Sequence, residues 1–95
     1  MALALPSTLT LPQATDTVTR LRAALTAAPA SEAFAVDASA LVDFDTSAIA
    51  VLLDGQRLAN ERGVVLQVQG APSKLHQLAA LYGVQDLLGL QGSVA

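Results

Sequence analysis

The sequence predicts an α/β domain, with a mixed sheet of four to five strands that has a parallel core and is covered by about three to four helices. Short apolar or alternating segments take turns with longer segments whose apolar residues recur every three or four positions. Hydrophobic residues make up 53% of the chain and charged residues 14%, a balance typical of a folded protein rather than a disordered one. With 95 residues, the chain is expected to form one domain, residues 1–95.

Two short strands are predicted at the start of the chain. Residues 8–11 alternate threonine and leucine, which is the pattern of a half-buried strand. The apolar residues 2–5 come just before Pro6. We expect these two segments to pair with each other across a tight connection.

An amphipathic helix is predicted between Pro12 and Pro29. Its apolar residues recur at three- and four-residue steps, at Val18, Leu21, Leu25 and Ala28. Its opposite side carries Thr17, Arg20 and Thr26. We expect this helix to cover one face of the sheet.

Three further extended segments are predicted in the rest of the chain: residues 33–39, 41–44 and 64–69. The first of them is compact and apolar, so it is expected to be an interior strand. A helix begins after Asp45 and ends at Gly63, where glycine can adopt a left-handed conformation.

A last helix is predicted between Pro72 and Gly83. Proline suits a first helical turn, and glycine suits a helix end. The apolar stripe of this helix consists of Leu75, Leu78, Ala79 and Tyr82. The tail that follows, residues 84–95, has a short apolar piece and then a loose end.

The helix after Asp45 has one apolar and one mostly polar face. The apolar face is predicted to be buried and consists of Ala48, Val51, Leu52, Gly55, Leu58 and Ala59. The opposite face consists of Thr46, Ala50, Leu53, Asp54, Arg57 and Glu61. Gly55 allows close approach to the sheet, and Arg57 is spaced to pair with Asp54 and Glu61.

Polar residues cluster at the start of this helix. Asp45 is predicted to be its cap, because a carboxylate there can accept hydrogen bonds from first-turn amides and complements the helix dipole. Capping does not account for the hydroxyls of Thr46 and Ser47. They are either ordinary first-turn residues or a place where another molecule contacts or modifies the chain. A phosphate is favoured at a helix N-terminus, although Asp45 opposes the added charge.

Composition argues against several functions. Five Lys and Arg against eight Asp and Glu give a net charge of −3, and only three residues are aromatic, so no nucleic-acid partner is expected. The chain has no cysteine and a single histidine, His76, which is expected on a helix surface. We therefore expect no metal and no cofactor.

No secretory signal or membrane span is expected. The first 12 residues lack a basic start, and Pro6 interrupts their apolar stretch. No apolar run approaches the roughly 18 residues that cross a bilayer. We expect a cytoplasmic protein without direct membrane insertion.

No catalytic residues are expected either. The three acids that lie close in sequence have structural explanations as a strand end, a loop and a helix cap: Asp37, Asp43 and Asp45. A serine hydrolase would need His76 beside Ser39 or Ser47, and neither serine lies in a G-x-S-x-G turn.

Residues 36–88 resemble a STAS domain, the fold of anti-sigma-factor antagonists and of the cytoplasmic part of sulfate transporters. The matching features are a "VD" strand end at Val36, a "D-[ST]-[SG]-[GA]" helix start at Asp45, the helix stop at Gly63, and the late "L-x-x-L-x-x-L-Y-G" helix that begins at Leu75. The family often has Gly-Leu where this chain has Ala48 followed by isoleucine.

Within the family, the segment "VQGAPSKLHQLAALYGV" and Thr46 are most similar to MlaB-like members. This resemblance implies a non-enzymatic cytoplasmic subunit that is held at the inner membrane by its partner, the MlaF-like ATPase subunit of a phospholipid ABC transporter. It implies that the ATPase is bound by one helix face, which consists of Thr46, Ser47, Ala50, Leu53, Asp54 and Arg57.

A second hypothesis stays open within the same family. Anti-sigma-factor antagonists are switched by phosphorylation at this helix start, and here Thr46 or Ser47 is the candidate phosphoacceptor. The two hypotheses differ in partner and in whether the hydroxyl is modified.

Overall fold

Strands and helices alternate along the chain, as the sequence predicts. The computed structural model describes residues 2–29 and 32–90. The last five residues of the predicted tail, 91–95, lie outside the described residues. The elements in chain order are β1 (Ala2–Ala4), β2 (Thr8–Leu9), α1 (Leu11–Ala27), β3 (Ala33–Asp37), β4 (Asp43–Phe44), α2 (Thr46–Arg62), β5 (Val65–Gln69) and α3 (Ser73–Leu81). The α/β fold class is confirmed.

The main sheet has the strand order β1-β3-β5, and both of its pairings are parallel. The prediction of an interior strand at residues 33–39 is therefore confirmed. Phe34 pairs with Leu66 and Val36 with Val68, and all four side chains are buried. These cross-strand pairs form the face of the sheet that contributes to the hydrophobic core.

The predicted hairpin between residues 2–5 and 8–11 is wrong. Strand β1 pairs with β3, whereas β2 pairs in parallel with β4 in a separate two-stranded sheet. Leu5 continues the first pairing, because its backbone N–H donates to the carbonyl of Asp37 at 2.8 Å. The second segment is cut short at Thr10, whose N–H donates to Gln13 Oε1 at 3.0 Å as α1 begins. Every strand pairing in the described part of the chain is parallel, and the strands form one sheet of three and one of two, whereas the sequence predicted one mixed sheet of four to five strands with a parallel core.

Helices α1 and α2 pack against each other through a close contact at Gly55. A Cβ at this position would lie 2.6 Å from Leu21 Cδ2 on α1 and 3.5 Å from Leu66 Cδ1 on β5. The absence of a side chain at Gly55 thus mainly allows α1 to approach α2. The approach to the sheet, which the sequence predicted, is the less close of the two contacts. Thr17, predicted on the polar side of α1, is buried instead and only 3% exposed.

Helix α3 begins at Ser73, with Pro72 at the N-cap position just before it. Leu75 and Ala79 of the predicted apolar stripe are buried, whereas Tyr82, the last residue of that stripe, is 56% exposed. The reason is that α3 ends at Leu81, and Tyr82 lies beyond the last helical turn that contacts the core.

The segment after α3 returns to the sheet edge. Leu88 is fully buried, and the N–H of Val68 donates to the carbonyl of Gly89 at 2.9 Å. Gln56 of α2 links this segment to β5, since its Nε2 donates to the carbonyls of Leu66 at 2.9 Å and Leu88 at 3.0 Å. Residues 88–90 are therefore held between β5 and α2.

Candidate functional site

The N-terminus of α2 is capped by Asp45. Its Oδ1 accepts a hydrogen bond from the backbone N–H of Ser47 at 2.8 Å. Thr46 is the first helical residue and is exposed, and its hydroxyl has no hydrogen-bond partner among the described residues. The cap thus uses the aspartate and leaves the threonine hydroxyl available to another molecule.

Four residues of α2 form one narrow stripe that continues from this hydroxyl. Thr46, Ala50, Leu53 and Arg57 follow one another at steps of four, three and four residues, which keeps them on one side of a helix. Thr46, Ala50 and Arg57 are exposed. Leu53 is partly buried and packs against the core. We call this stripe the α2 face.

An apolar groove runs beside the N-terminal half of the α2 face. Its volume is about 410 Å³, and it is lined by Thr46, Ile49, Ala50, Leu53, Tyr82 and Val84. The aromatic ring forms one wall because α3 has ended and the chain turns back toward α2. Tyr82 is not among the predicted site residues, and the only signal for its place here is its position immediately before a helix-terminating glycine.

A second groove, which we call the arginine groove, continues along the C-terminal half of the α2 face. Its volume is about 520 Å³, and its lining consists of Ala50, Leu53, Asp54, Gln56, Arg57, Asn60 and Leu87. Leu87 was not predicted as a site residue and is 60% exposed. The two grooves share Ala50 and Leu53, so together they follow the axis of α2.

The carboxylate of Asp54 does not pair with Arg57, contrary to the sequence prediction. It accepts two hydrogen bonds from Arg22 Nη1 of α1, at 2.9 and 3.1 Å. Within residues 2–29 and 32–90, neither the predicted pair with Asp54 nor the one with Glu61 forms, and Arg57 has no ion pair. The guanidinium of Arg22 can bind the Asp54 carboxylate because α1 and α2 lie side by side.

Ser47 differs from the other five predicted site residues. It is half-buried and lies off the α2 face, and it lines neither of the two grooves. The structure therefore brings Thr46, Ala50 and Leu53 together in the apolar groove, and Asp54 and Arg57 together in the arginine groove.

Asp37 lies at the end of β3, outside both grooves. Hydrogen bonds from the side chain and the backbone N–H of Ser39 hold the pKa of the Asp37 carboxyl below its ordinary value of 3.8. The backbone bond, from Ser39 N to Asp37 Oδ1, is 2.9 Å long. The carboxylate thus stabilises the turn that follows the strand.

None of the helices in the described part of the chain combines the length and hydropathy that a membrane crossing requires.

Comparison with known proteins identifies the fold. The family model described as "Mlab, STAS domain" matches residues 2–90. The solved structure of a SulP transporter STAS domain from Vibrio cholerae superimposes with a TM-score of 0.70 at 18% identity. The match covers 93% of this chain and 66% of that one, slightly less than two thirds of its length. Among curated proteins, none is significantly similar in sequence.

The structural neighbour shows that the two chains share a fold, and the family model extends over both sheets and all three named helices. The chain belongs to the Mlab family of STAS domains.

Proposed function

We propose that this chain is a non-enzymatic STAS subunit that binds and supports the ATPase of an Mla-type ABC transporter, which moves phospholipid between membranes and maintains outer-membrane lipid asymmetry. The observation that carries the proposal is the α2 face, an exposed stripe with Thr46 at one end and an apolar groove beside it. In this proposal the domain stays in the cytoplasm and reaches the inner membrane only through the ATPase.

The composition of the apolar groove supports a protein partner. Leu53 and Tyr82 offer apolar surface next to a free hydroxyl, and partly exposed aromatic and aliphatic side chains in a groove are typical of residues that contribute most to protein–protein affinity. The family model that matches this chain is that of a STAS domain, which is consistent with a binding role.

Co-purification tests this proposal. Tagged wild type and Thr46→Glu are each isolated from the native cell, and bound proteins are identified by mass spectrometry. Glutamate at the first helical position complements the helix dipole, so the variant is expected to fold normally. The matched control is Thr26→Glu, which adds the same charge at an exposed threonine of α1 outside both grooves.

We expect an ABC-type ATPase to be recovered with the wild type and with Thr26→Glu. With Thr46→Glu we expect roughly a tenfold smaller amount or less, because burying the charged carboxylate at an interface costs desolvation free energy. Equal recovery of the ATPase with all three proteins would place its contact elsewhere, and its absence from the wild-type sample would contradict the proposal.

The second candidate is an anti-sigma-factor antagonist switched by phosphorylation at Thr46 or Ser47. The observation in its favour is that the Thr46 hydroxyl is exposed and unbonded at a helix N-terminus, where a phosphate is stabilised. Incubation with the serine kinase encoded nearest to the gene, followed by intact-mass measurement, separates the two candidates. A gain of one phosphate that is lost in Thr46→Ala or Ser47→Ala supports the switch, and an unchanged mass supports the transporter subunit.

A further inference from the structure

The arginine groove carries a cation without a counter-charge. Three of the other four basic residues have partners in the structure. Arg22 binds Asp54, Arg62 donates to the backbone carbonyl of Thr26 at 2.9 Å, and the Lys74 ammonium lies 5.6 Å from the centre of the Phe44 ring.

Arg57 is exposed and forms no ion pair among the described residues, although the whole chain has a net charge of −3. The surplus of acidic residues in the sequence therefore does not provide Arg57 with a carboxylate partner among the described residues. Asp54, the acid that lies in the same groove, is already held by Arg22. The groove consequently presents a positive group that an incoming carboxylate can pair with.

The spacing of the two grooves limits what can fill both. Leu53 and Arg57 are four residues apart, so they are separated by about 6 Å along the helix axis, roughly one helical turn. Ala50, which lines both grooves, has a small side chain. A helix lying along α2 can present side chains at the same one-turn interval.

We infer that the segment of the ATPase that docks on the α2 face is an amphipathic helix, which inserts an apolar side chain beside Leu53 and Tyr82 and presents an Asp or Glu about one turn away to Arg57. This inference rests on the proposed function and adds the chemistry of the partner. It makes Arg57 a determinant of specificity, because a partner helix with a basic residue at that place is repelled.

Calorimetric titration of the purified ATPase subunit into this chain tests the inference. The variants are Arg57→Gln and Arg57→Glu, and both residues form helices readily, so circular dichroism is expected to show an intact fold. Arg20→Gln and Arg20→Glu are the matched controls, since Arg20 is an exposed arginine on α1 that lines neither groove.

We expect Arg57→Gln to weaken binding about tenfold and Arg57→Glu about a hundredfold, with both Arg20 variants close to wild type. Raising the salt concentration weakens wild-type binding more than it weakens binding of Arg57→Gln, because the ion pair is screened. Replacing the acids of the ATPase with lysine one at a time then identifies the partner residue, whose lysine variant restores binding to Arg57→Glu.

The outcomes separate this inference from the proposed function. If the wild type binds the ATPase and Arg57→Glu binds equally tightly, the inference is wrong and the proposed function stands. If the wild type does not bind, the proposed function fails and the inference with it. A self-association of the wild type that sedimentation detects and Arg57→Glu abolishes would assign the groove to a second copy and overturn the inference.

Discussion

Asp54 of α2 is bound by Arg22 of α1, with 2.9 Å between Nη1 and Oδ2 and 3.1 Å between Nη1 and Oδ1. The pair links two neighbouring helices and neutralises the carboxylate that lies beside the arginine groove. Arg57 is thereby left without Asp54, one of the two intrahelical partners that its spacing predicts, and in the described part of the chain it forms no ion pair with Glu61 either. The charge of the groove is therefore set by a contact between two helices.

Arg22→Gln is expected to lower the free energy of unfolding by less than about 1 kcal/mol at low salt, because the two side chains are 50% and 30% exposed and such pairs are weak. The loss should disappear near 1 M salt. Urea unfolding at two salt concentrations measures both effects, with Arg20→Gln as the control. A salt-independent loss above about 2 kcal/mol would show that the pair is shielded from solvent.

Gly55→Ala is expected to destabilise the protein by about 1 kcal/mol. Overpacking against Leu21 costs about 1–3 kcal/mol, and the better helix propensity of alanine returns about 1 kcal/mol. Leu21→Val removes the Cδ2 atom that the new methyl meets. In that background Gly55→Ala should become neutral or stabilising in urea unfolding, and an equal cost in both backgrounds would contradict the contact.

Gly89→Ala is expected to cost about 2–4 kcal/mol, since it combines a left-handed backbone with a clash. Its φ is 68°, and a Cβ there would lie 2.6 Å from the carbonyl oxygen of Leu66 and would also overlap Gln56 Nε2. Gly83→Ala is the matched control, because its φ is 69° and a Cβ there meets nothing within 4 Å.

The control should therefore lose only about 1 kcal/mol. Urea unfolding measures the difference, and hydrogen exchange at the N–H of Val68, which donates to Gly89, reports whether the segment detaches locally. Equal losses for the two alanine variants would mean that residues 88–90 are not held closely against β5.

Ser39→Ala is expected to raise the pKa of Asp37 toward 3.8, because it removes the side-chain hydrogen bond that favours the carboxylate. In the wild type the folded-state pKa lies below the unfolded one. The carboxylate therefore stabilises the fold above pH 3.8, and this contribution is lost as the pH falls through the folded-state pKa. NMR titration of the Asp37 carboxyl measures both proteins, and identical curves would contradict the assignment.

Local signals in the sequence were sufficient for α2. Asp45 is a helix cap and Gly63 adopts φ 69° at the helix end, so both boundaries are encoded within a few residues of where they occur. The stripe of Thr46, Ala50 and Leu53 follows from helical periodicity alone. These are the parts of the candidate site that sequence reasoning could predict.

Long-range pairing was not encoded in this way. Segments 2–5 and 8–11 look like a hairpin because they are adjacent, yet each gains its backbone partner from a strand more than 30 residues away, at β3 and β4. Helical periodicity placed Tyr82 on the apolar stripe of α3, although the helix ends before it, and no periodic signal marks Leu87. Arg57 loses Asp54 as a partner because Arg22 binds that carboxylate from another helix. Such choices depend on packing between elements.

The central claim is that the α2 face binds and supports an ATPase, and ATP hydrolysis tests it most directly. The turnover of the purified transporter lacking this subunit is measured alone, with added wild type, and with added Thr46→Glu or Thr26→Glu. We predict that the wild type and Thr26→Glu raise the rate of ATP hydrolysis and that Thr46→Glu leaves it near the rate without the subunit. An equal increase with Thr46→Glu, or no increase with the wild type, would contradict the account.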